Sequence, residues 1–147
     1  MNILIINGPN LNMLGIREID IYGNQSYLDL VKYLNELSKK YNFKIEIFQS
    51  NSEGEIIDKI QSAYFNKVDA IIINPAAYTH YSIAIFDAIK AVNIPTIEVH
   101  LSDIYHREDF RKINVIKSAC IKSFYGKGFL SYGEAVEFLV GENNEIS

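Results

Sequence analysis

The sequence predicts an α/β protein built on a doubly wound, five-stranded parallel sheet in the order 2-1-3-4-5. Three observations carry that prediction. Two short apolar runs, Ile3-Leu4-Ile5-Ile6 and Ala70-Ile71-Ile72-Ile73, are hydrophobic at every position, as strands covered on both faces must be. A third run, Phe43-Lys44-Ile45-Glu46-Ile47, alternates strictly and fits a sheet edge with one face in water. Segments of helical periodicity separate the successive strands, which calls for right-handed crossovers between parallel neighbours.

The elements follow in order. Residues Met1 to Ile6 form the first strand. Ser26 and Asp29 are spaced as a capping box, and Tyr27, Leu30, Val31, Leu34, Leu37 and Tyr41 recur at helical spacing to about Lys40. After the alternating strand, Ser52 and Glu55 make a second capping box, continued by Ile56, Ile57, Ile60, Ala63 and Tyr64. The third strand ends in Asn74-Pro75, and a loop through Ala76 to Tyr81 enters a helix at about Ser82 with Ile85, Phe86 and Ile89 inward. Pro95 to His100 reads as the fourth strand, Ser102 to Arg111 as a polar connection, and Ala119 to Phe124 as the fifth strand. A glycine-bearing turn from Tyr125 to Phe129 leads to a last helix over about Ser131 to Val140, and the polar tail 141–147 is expected to fray.

Composition narrows the function classes. The 147 residues suit a single domain, and 48% hydrophobic with 22% charged residues is ordinary globular material. A formal net charge of −4 provides no general attraction to nucleic acid or an anionic membrane, so an anionic ligand must be held by local arginines or backbone N–H groups. The single cysteine, Cys120, rules out an internal disulfide framework and fits a reducing compartment. No stretch reaches the ~20 apolar residues of a membrane span, and a strand at the very start leaves no room for a signal peptide. The expected location is cytoplasmic.

In sheets of this order, ligands bind beyond the carboxyl ends of the strands, at the switch point between strands 1 and 3. Polar residues gather there: Asn7 and Asn10 after strand 1, Asn74 after strand 3, His100 after strand 4. Glu98 and His100, two apart on a strand, point to the same side, so a carboxylate can orient an imidazole. A strand-end histidine bonded to backbone satisfies the same spacing. His80 lies in a loop of hydrogen-bonding groups and could hold a hydroxyl, or simply sit on the surface. Arg111 could clamp a carboxylate, and Asp87 falls on the polar face of a helix. Leu101-Ser102 offers backbone N–H groups to an anion. Gly15 and Gly23 bracket Arg17 and Tyr22 in what reads either as a mobile lid or as a polar strand-to-helix connection whose tyrosine simply packs. A nearby guanidinium can lower the pKa of an acid by roughly 1–3 units, which would make a tyrosinate base. There is no G-x-S-x-G elbow, no phosphate loop and no metal-ligand spacing motif. A phospho-acceptor signalling domain would want aspartates where this chain has asparagines. Cys120 reads as a thiol buried within the fifth strand.

Together these residues resemble the type II 3-dehydroquinate dehydratase family. The first segment, Asn7-Gly8-Pro9-Asn10-Leu11 through Leu14-Gly15, Arg17-Glu18 and Tyr22-Gly23, matches the family pattern at every fixed position but one. Asn74 through Ser82, Glu98 through Ser102, and Arg107 through Arg111 match in turn. The resemblance implies a flavodoxin-like fold and a lyase of the shikimate pathway or of quinate catabolism, working without a cofactor or metal. Its substrate would be 3-dehydroquinate, dehydrated to 3-dehydroshikimate by trans-elimination through an enolate. Tyr22 would be the base, Arg17 its activator, Asn10 the support of the enolate oxygen, and His100, oriented by Glu98, the acid. Asn74, His80 and Arg111 would hold ring hydroxyls, and the Leu101 and Ser102 backbone the carboxylate. Trimers packed into a dodecamer are implied, with Asp87 reaching a neighbouring subunit's site.

Two departures stand out. Ile19 replaces a usual proline, which implies a less stiff lid. Ala76 replaces a frequent glycine, harmless only if its φ is not positive. Glu18 is expected to support the lid. The competing readings are a flavodoxin-like binding module without catalysis and a phosphate- or nucleotide-binding domain.

Overall fold

The computed structural model describes residues 1–16 and 18–146, and the side chains of these except Tyr22 and 142–146. The strands are β1 (Asn2–Asn7), β2 (Lys44–Gln49), β3 (Ala70–Asn74), β4 (Thr96–His100) and β5 (Lys122–Tyr125). They pair in parallel in the predicted order, β2-β1-β3-β4-β5. The helices are α1 (Ile19–Tyr22), α2 (Tyr27–Tyr41), α3 (Glu53–Phe65), α4 (Ile83–Val92) and α5 (Leu130–Ile146).

The unbroken apolar character of β1 and β3 has a direct cause. Ile3, Ile5 and Ile72 pack with Leu30 and Leu34 of α2 and Tyr132 and Val136 of α5 on one side. Leu4, Ile6, Ile71 and Ile73 pack with Ile56 and Ile60 of α3 and Ile85 and Ile89 of α4 on the other. Successive residues of a strand point to opposite faces, and here both faces are roofed. β2 lies at the edge, with Lys44 and Glu46 exposed. None of the helices described is long and apolar enough to cross a membrane.

The register aligns the strand ends that matter. Asn7 of β1 lies beside Gln49 of β2 and Asn74 of β3. Gly8 continues the close approach, donating its N–H to the Asn74 carbonyl at 2.8 Å. A Cβ on Gly8 would sit 2.7 Å from the Pro75 carbonyl oxygen, so only glycine fits between the loops that follow β1 and β3.

Several expected boundaries are corrected. Ser26 and Asp29 form the reciprocal capping box, but at α3 only half exists: Ser52 accepts from the Glu55 N–H, while the Glu55 carboxylate takes the Ser50 hydroxyl. The fifth strand starts at Lys122 and not at Ala119. Asn114 Oδ1 accepts the N–H groups of Ile116 and Lys117, turning the chain into a 3-10 helix over Lys117–Ala119. Cys120 therefore caps that turn and is half-buried rather than lying within a strand. Burial, with the Glu98 charge second, pushes its thiol up to about 12. α5 continues to Ile146, past its expected end at Val140. The segment read as a lid loop contains the one-turn helix α1, with Gly15 at φ 84° and Gly23 at φ 79° on either side. Ile19 holds the first position of α1, the helical position proline suits best.

Candidate active site

A cavity of about 100 Å³ opens at the carboxyl ends of β1, β3 and β4. Its wall includes Asn10, Asn74, His80, His100, Leu101, Ser102 and Arg111, which the structure brings together from five segments of the chain. Glu98 stands behind His100. Asp87 lies on the exposed side of α4 and does not line the cavity. The expected pairing of Arg17 with the Tyr22 phenol lies outside the described residues; the backbone of Tyr22 ends α1.

Glu98 and His100 are both buried on β4. His100 Nε2 lies 2.7 Å from Glu98 Oε2, so Nδ1 is the nitrogen left for the cavity. Glu98 also accepts from Asn114 Nδ2 at 2.7 Å and from Ser123 Oγ at 2.7 Å. Burial alone would raise the Glu98 pKa. The hydrogen bond and charge of His100, with the bonds from Ser123 and Asn114, outweigh it and hold the carboxyl below its usual range. A buried carboxylate with three donors stays ionised and fixes both ring orientation and tautomer of its histidine.

His80 is set differently. Its Nδ1 lies 2.7 Å from the Ile113 carbonyl, which can only accept, so Nδ1 carries the proton. Burial lowers the His80 pKa; the Ile113 bond opposes this, and the charges of Arg111, His100 and Arg107 reinforce it. The neutral ring keeps an Nε2 lone pair, which suits a hydroxyl donor.

Asn74, in the cavity wall, belongs to a hydrogen-bonded chain. The fully buried Tyr132 hydroxyl donates to Asn7 Oδ1 at 2.6 Å and accepts from Asn74 Nδ2 at 3.0 Å. Asn74 Oδ1 in turn accepts the Ala76 N–H at 3.1 Å. Burial raises the Tyr132 pKa strongly, despite the Asn74 bond, so this phenol remains a neutral relay. Ala76 has φ 52°, the left-handed region that the missing glycine would occupy without strain. The condition for a harmless replacement is therefore not met.

Two cations border the cavity. Arg111 lines the cavity and donates from Nε to Glu108 at 2.7 Å. Arg107, absent from the expected site, also lines the cavity and reaches Ser102 Oγ from Nη1 at 3.4 Å. Sequence reasoning likewise missed Asn114, Ser123, Tyr132 and Asn51. Only Asn51, just past the end of β2, carried a visible signal, because it stands where strand-end polar residues gather. Among the described residues no group of three His, Cys, Asp or Glu side chains could hold a metal ion.

The chain matches the family model described as Dehydroquinase class II over residues 1–140. It is 63% identical over 130 residues to the 3-dehydroquinate dehydratase of Caldicellulosiruptor bescii, covering 88% of this chain and 90% of that one. With the 3-dehydroquinate dehydratase of Fusobacterium nucleatum it shares 55% over 147 residues, 99% of this chain and 100% of the other. The crystal structure of the type II dehydroquinase from Butyrivibrio crossotus superposes with a TM-score of 0.93 at 54% identity, over 95% of this chain and 97% of that one. A five-stranded parallel sheet with a polar cavity at its switch point and a family match spanning nearly all of its length place this chain in the class II dehydroquinase family.

Proposed function

We propose that the cavity dehydrates 3-dehydroquinate to 3-dehydroshikimate, as a type II 3-dehydroquinate dehydratase and hydro-lyase. The observation that carries this reading is the buried Glu98–His100 pair facing a cavity that also holds Asn10, Asn74, His80 and Arg111. Elimination of a hydroxyl β to a ketone needs a base for the α-proton, support for the enolate oxygen and an acid for the departing oxygen.

The Tyr22 phenolate, kept basic by Arg17, removes the C2 proton, and the electron pair moves onto the ketone oxygen as an enolate. Asn10 stabilises that oxygen, directly or through a water. Return of the pair forms the ring double bond and expels the β-hydroxyl, which takes a proton from His100 and leaves as water. Glu98 holds His100 at Nε2, which leaves Nδ1 as the ring position that delivers the proton. Asn74, His80 through Nε2, and Arg111 hold the ring hydroxyls, while the N–H groups of Leu101 and Ser102 take the carboxylate beside the Arg107 charge. No step needs a cofactor. The active assembly is a dodecamer built from trimers, in which Asp87, exposed on α4, completes a neighbouring subunit's site.

Adding 3-dehydroquinate and following the enone absorbance of the product tests the reading. The expected result is turnover by the wild type and near-complete loss in a folded Tyr22→Phe variant. A Tyr22→Phe enzyme with normal kcat would overturn the assignment of the base.

A further inference from the structure

Asn51 lies in the turn between β2 and α3, outside the residues assigned a role above, yet it is bonded to two of the loops that face the cavity. Its Oδ1 accepts the backbone N–H of Asn10 at 3.0 Å. Its backbone carbonyl accepts the Tyr78 hydroxyl at 2.7 Å, and Tyr78 belongs to the 3-10 helix Ala76–His80 that presents His80. Gln49, beside Asn7 in the sheet, shares the two hydrogens of Nε2 among Asn51 Oδ1 at 3.2 Å, the Gly8 carbonyl at 3.2 Å and Asn12 Oδ1 at 3.4 Å.

These bonds act on a residue in an unusual conformation. Asn10 has φ 69°, the left-handed region, and its carbonyl accepts the Met13 N–H at 2.9 Å. With its N–H held by Asn51 and its carbonyl by Met13, both peptide planes flanking Asn10 are fixed. Those two planes set the direction of its Cα–Cβ bond, from which the side chain enters the cavity wall. Asparagine tolerates this conformation better than most residues, at a cost that surrounding contacts must offset.

We propose that Asn51 is a positioning residue: its side-chain oxygen aims the Asn10 amide at the enolate oxygen, and Gln49 steadies that oxygen. This rests on the role given to Asn10 above. An oxyanion donor contributes in proportion to its placement, and a misplacement of ~1 Å can cost on the order of 10²-fold. Substrate affinity, set by other groups, should be little affected.

The test is a double-mutant cycle on the full-length enzyme, with kcat, KM and thermal unfolding measured for each variant. Asn51→Leu removes the side-chain acceptor but leaves the carbonyl that holds Tyr78; Asn51→Ala is the second removal should leucine misfit. Both are expected to lower kcat by about 10- to 100-fold with KM nearly unchanged. Asn51→Asp keeps an oxygen for both donors and is expected to restore most of the rate. Asn10→Gly deletes the amide in a residue that accepts φ 69°. In that background the Asn51 substitution is expected to cost nothing more. A full additional loss in the Asn10→Gly background overturns the proposal, as does unchanged kcat in Asn51→Leu or Asn51→Ala while Asn10→Gly is impaired. An Asn10→Gly enzyme with normal kcat overturns the role of Asn10 itself, and this proposal with it.

Discussion

His100 and Glu98 meet at 2.7 Å through Nε2 and Oε2, and the same carboxylate is held by Asn114 and Ser123, each at 2.7 Å. All three partners donate to the carboxylate, His100 and Asn114 to one oxygen and Ser123 to the other. Glu98→Gln can turn its NH₂ towards Ser123, whose hydroxyl is able to accept, and so keeps the three contacts while removing the charge. The variant is expected to lose about 1 kcal/mol of stability as charge-assisted bonds become neutral ones, and about 10- to 100-fold in kcat. Denaturant unfolding and the enone assay measure both. A fully active Glu98→Gln enzyme would remove the orienting role.

The same group shapes acid stability. The folded-state pKa of Glu98 lies below its ordinary value of 4.5, so its contribution is complete above pH 4.5 and is lost as pH falls from there through the folded value. Unfolding free energy measured against pH should decline over that window in the wild type, and less steeply in Glu98→Gln.

His80 titrates in the opposite charge sense. Its pKa lies below 6.5, first because the ring is partly buried. It is neutral at pH 7, and its contribution to stability is full above pH 6.5 and falls as the pH drops from there towards the folded value. An NMR titration should place its midpoint below 6.5. His80→Asn can still donate to the Ile113 carbonyl but has no Nε2 acceptor. Its kcat/KM is expected to fall roughly 5- to 10-fold, the worth of one hydrogen bond of ~1 kcal/mol. An unchanged kcat/KM would take His80 out of substrate binding.

Ala76 carries avoidable strain. With φ 52° its methyl group pushes against backbone, at a cost of roughly 1–2 kcal/mol, while glycine would lose some chain entropy and a partly buried methyl. Ala76→Gly is therefore expected to stabilise by about 0.5–1 kcal/mol, raising Tm by roughly 2–4 °C. A lower Tm would show that the methyl packing outweighs the strain.

The order of the sheet was legible because Ile3–Ile6 of β1 and Ala70–Ile73 of β3 are apolar at every position while β2 alternates, and burial on two faces or one leaves no other pattern. The strand-end cluster was legible for the same reason: Asn10, Asn74, His80, His100 and Arg111 close the segments that the topology brings together. The start of β5 was not legible. Ala119 and Cys120 have the apolar character of a strand, but Asn114, five residues before Ala119, turns the backbone through a capping bond that no periodicity encodes.

The sequence by itself determined the architecture, the family and the mouth of the sheet as the candidate site, since these depend on hydrophobic pattern and on residue types in order. Tertiary structure decided which atoms meet. That Glu98 is saturated by Asn114 and Ser123, that Tyr132 of the last helix joins Asn7 to Asn74, and that Asn51 holds Asn10 are contacts between distant segments. Hydrogen bonds depend on distance and direction in space, and neither is written in the local order of residues.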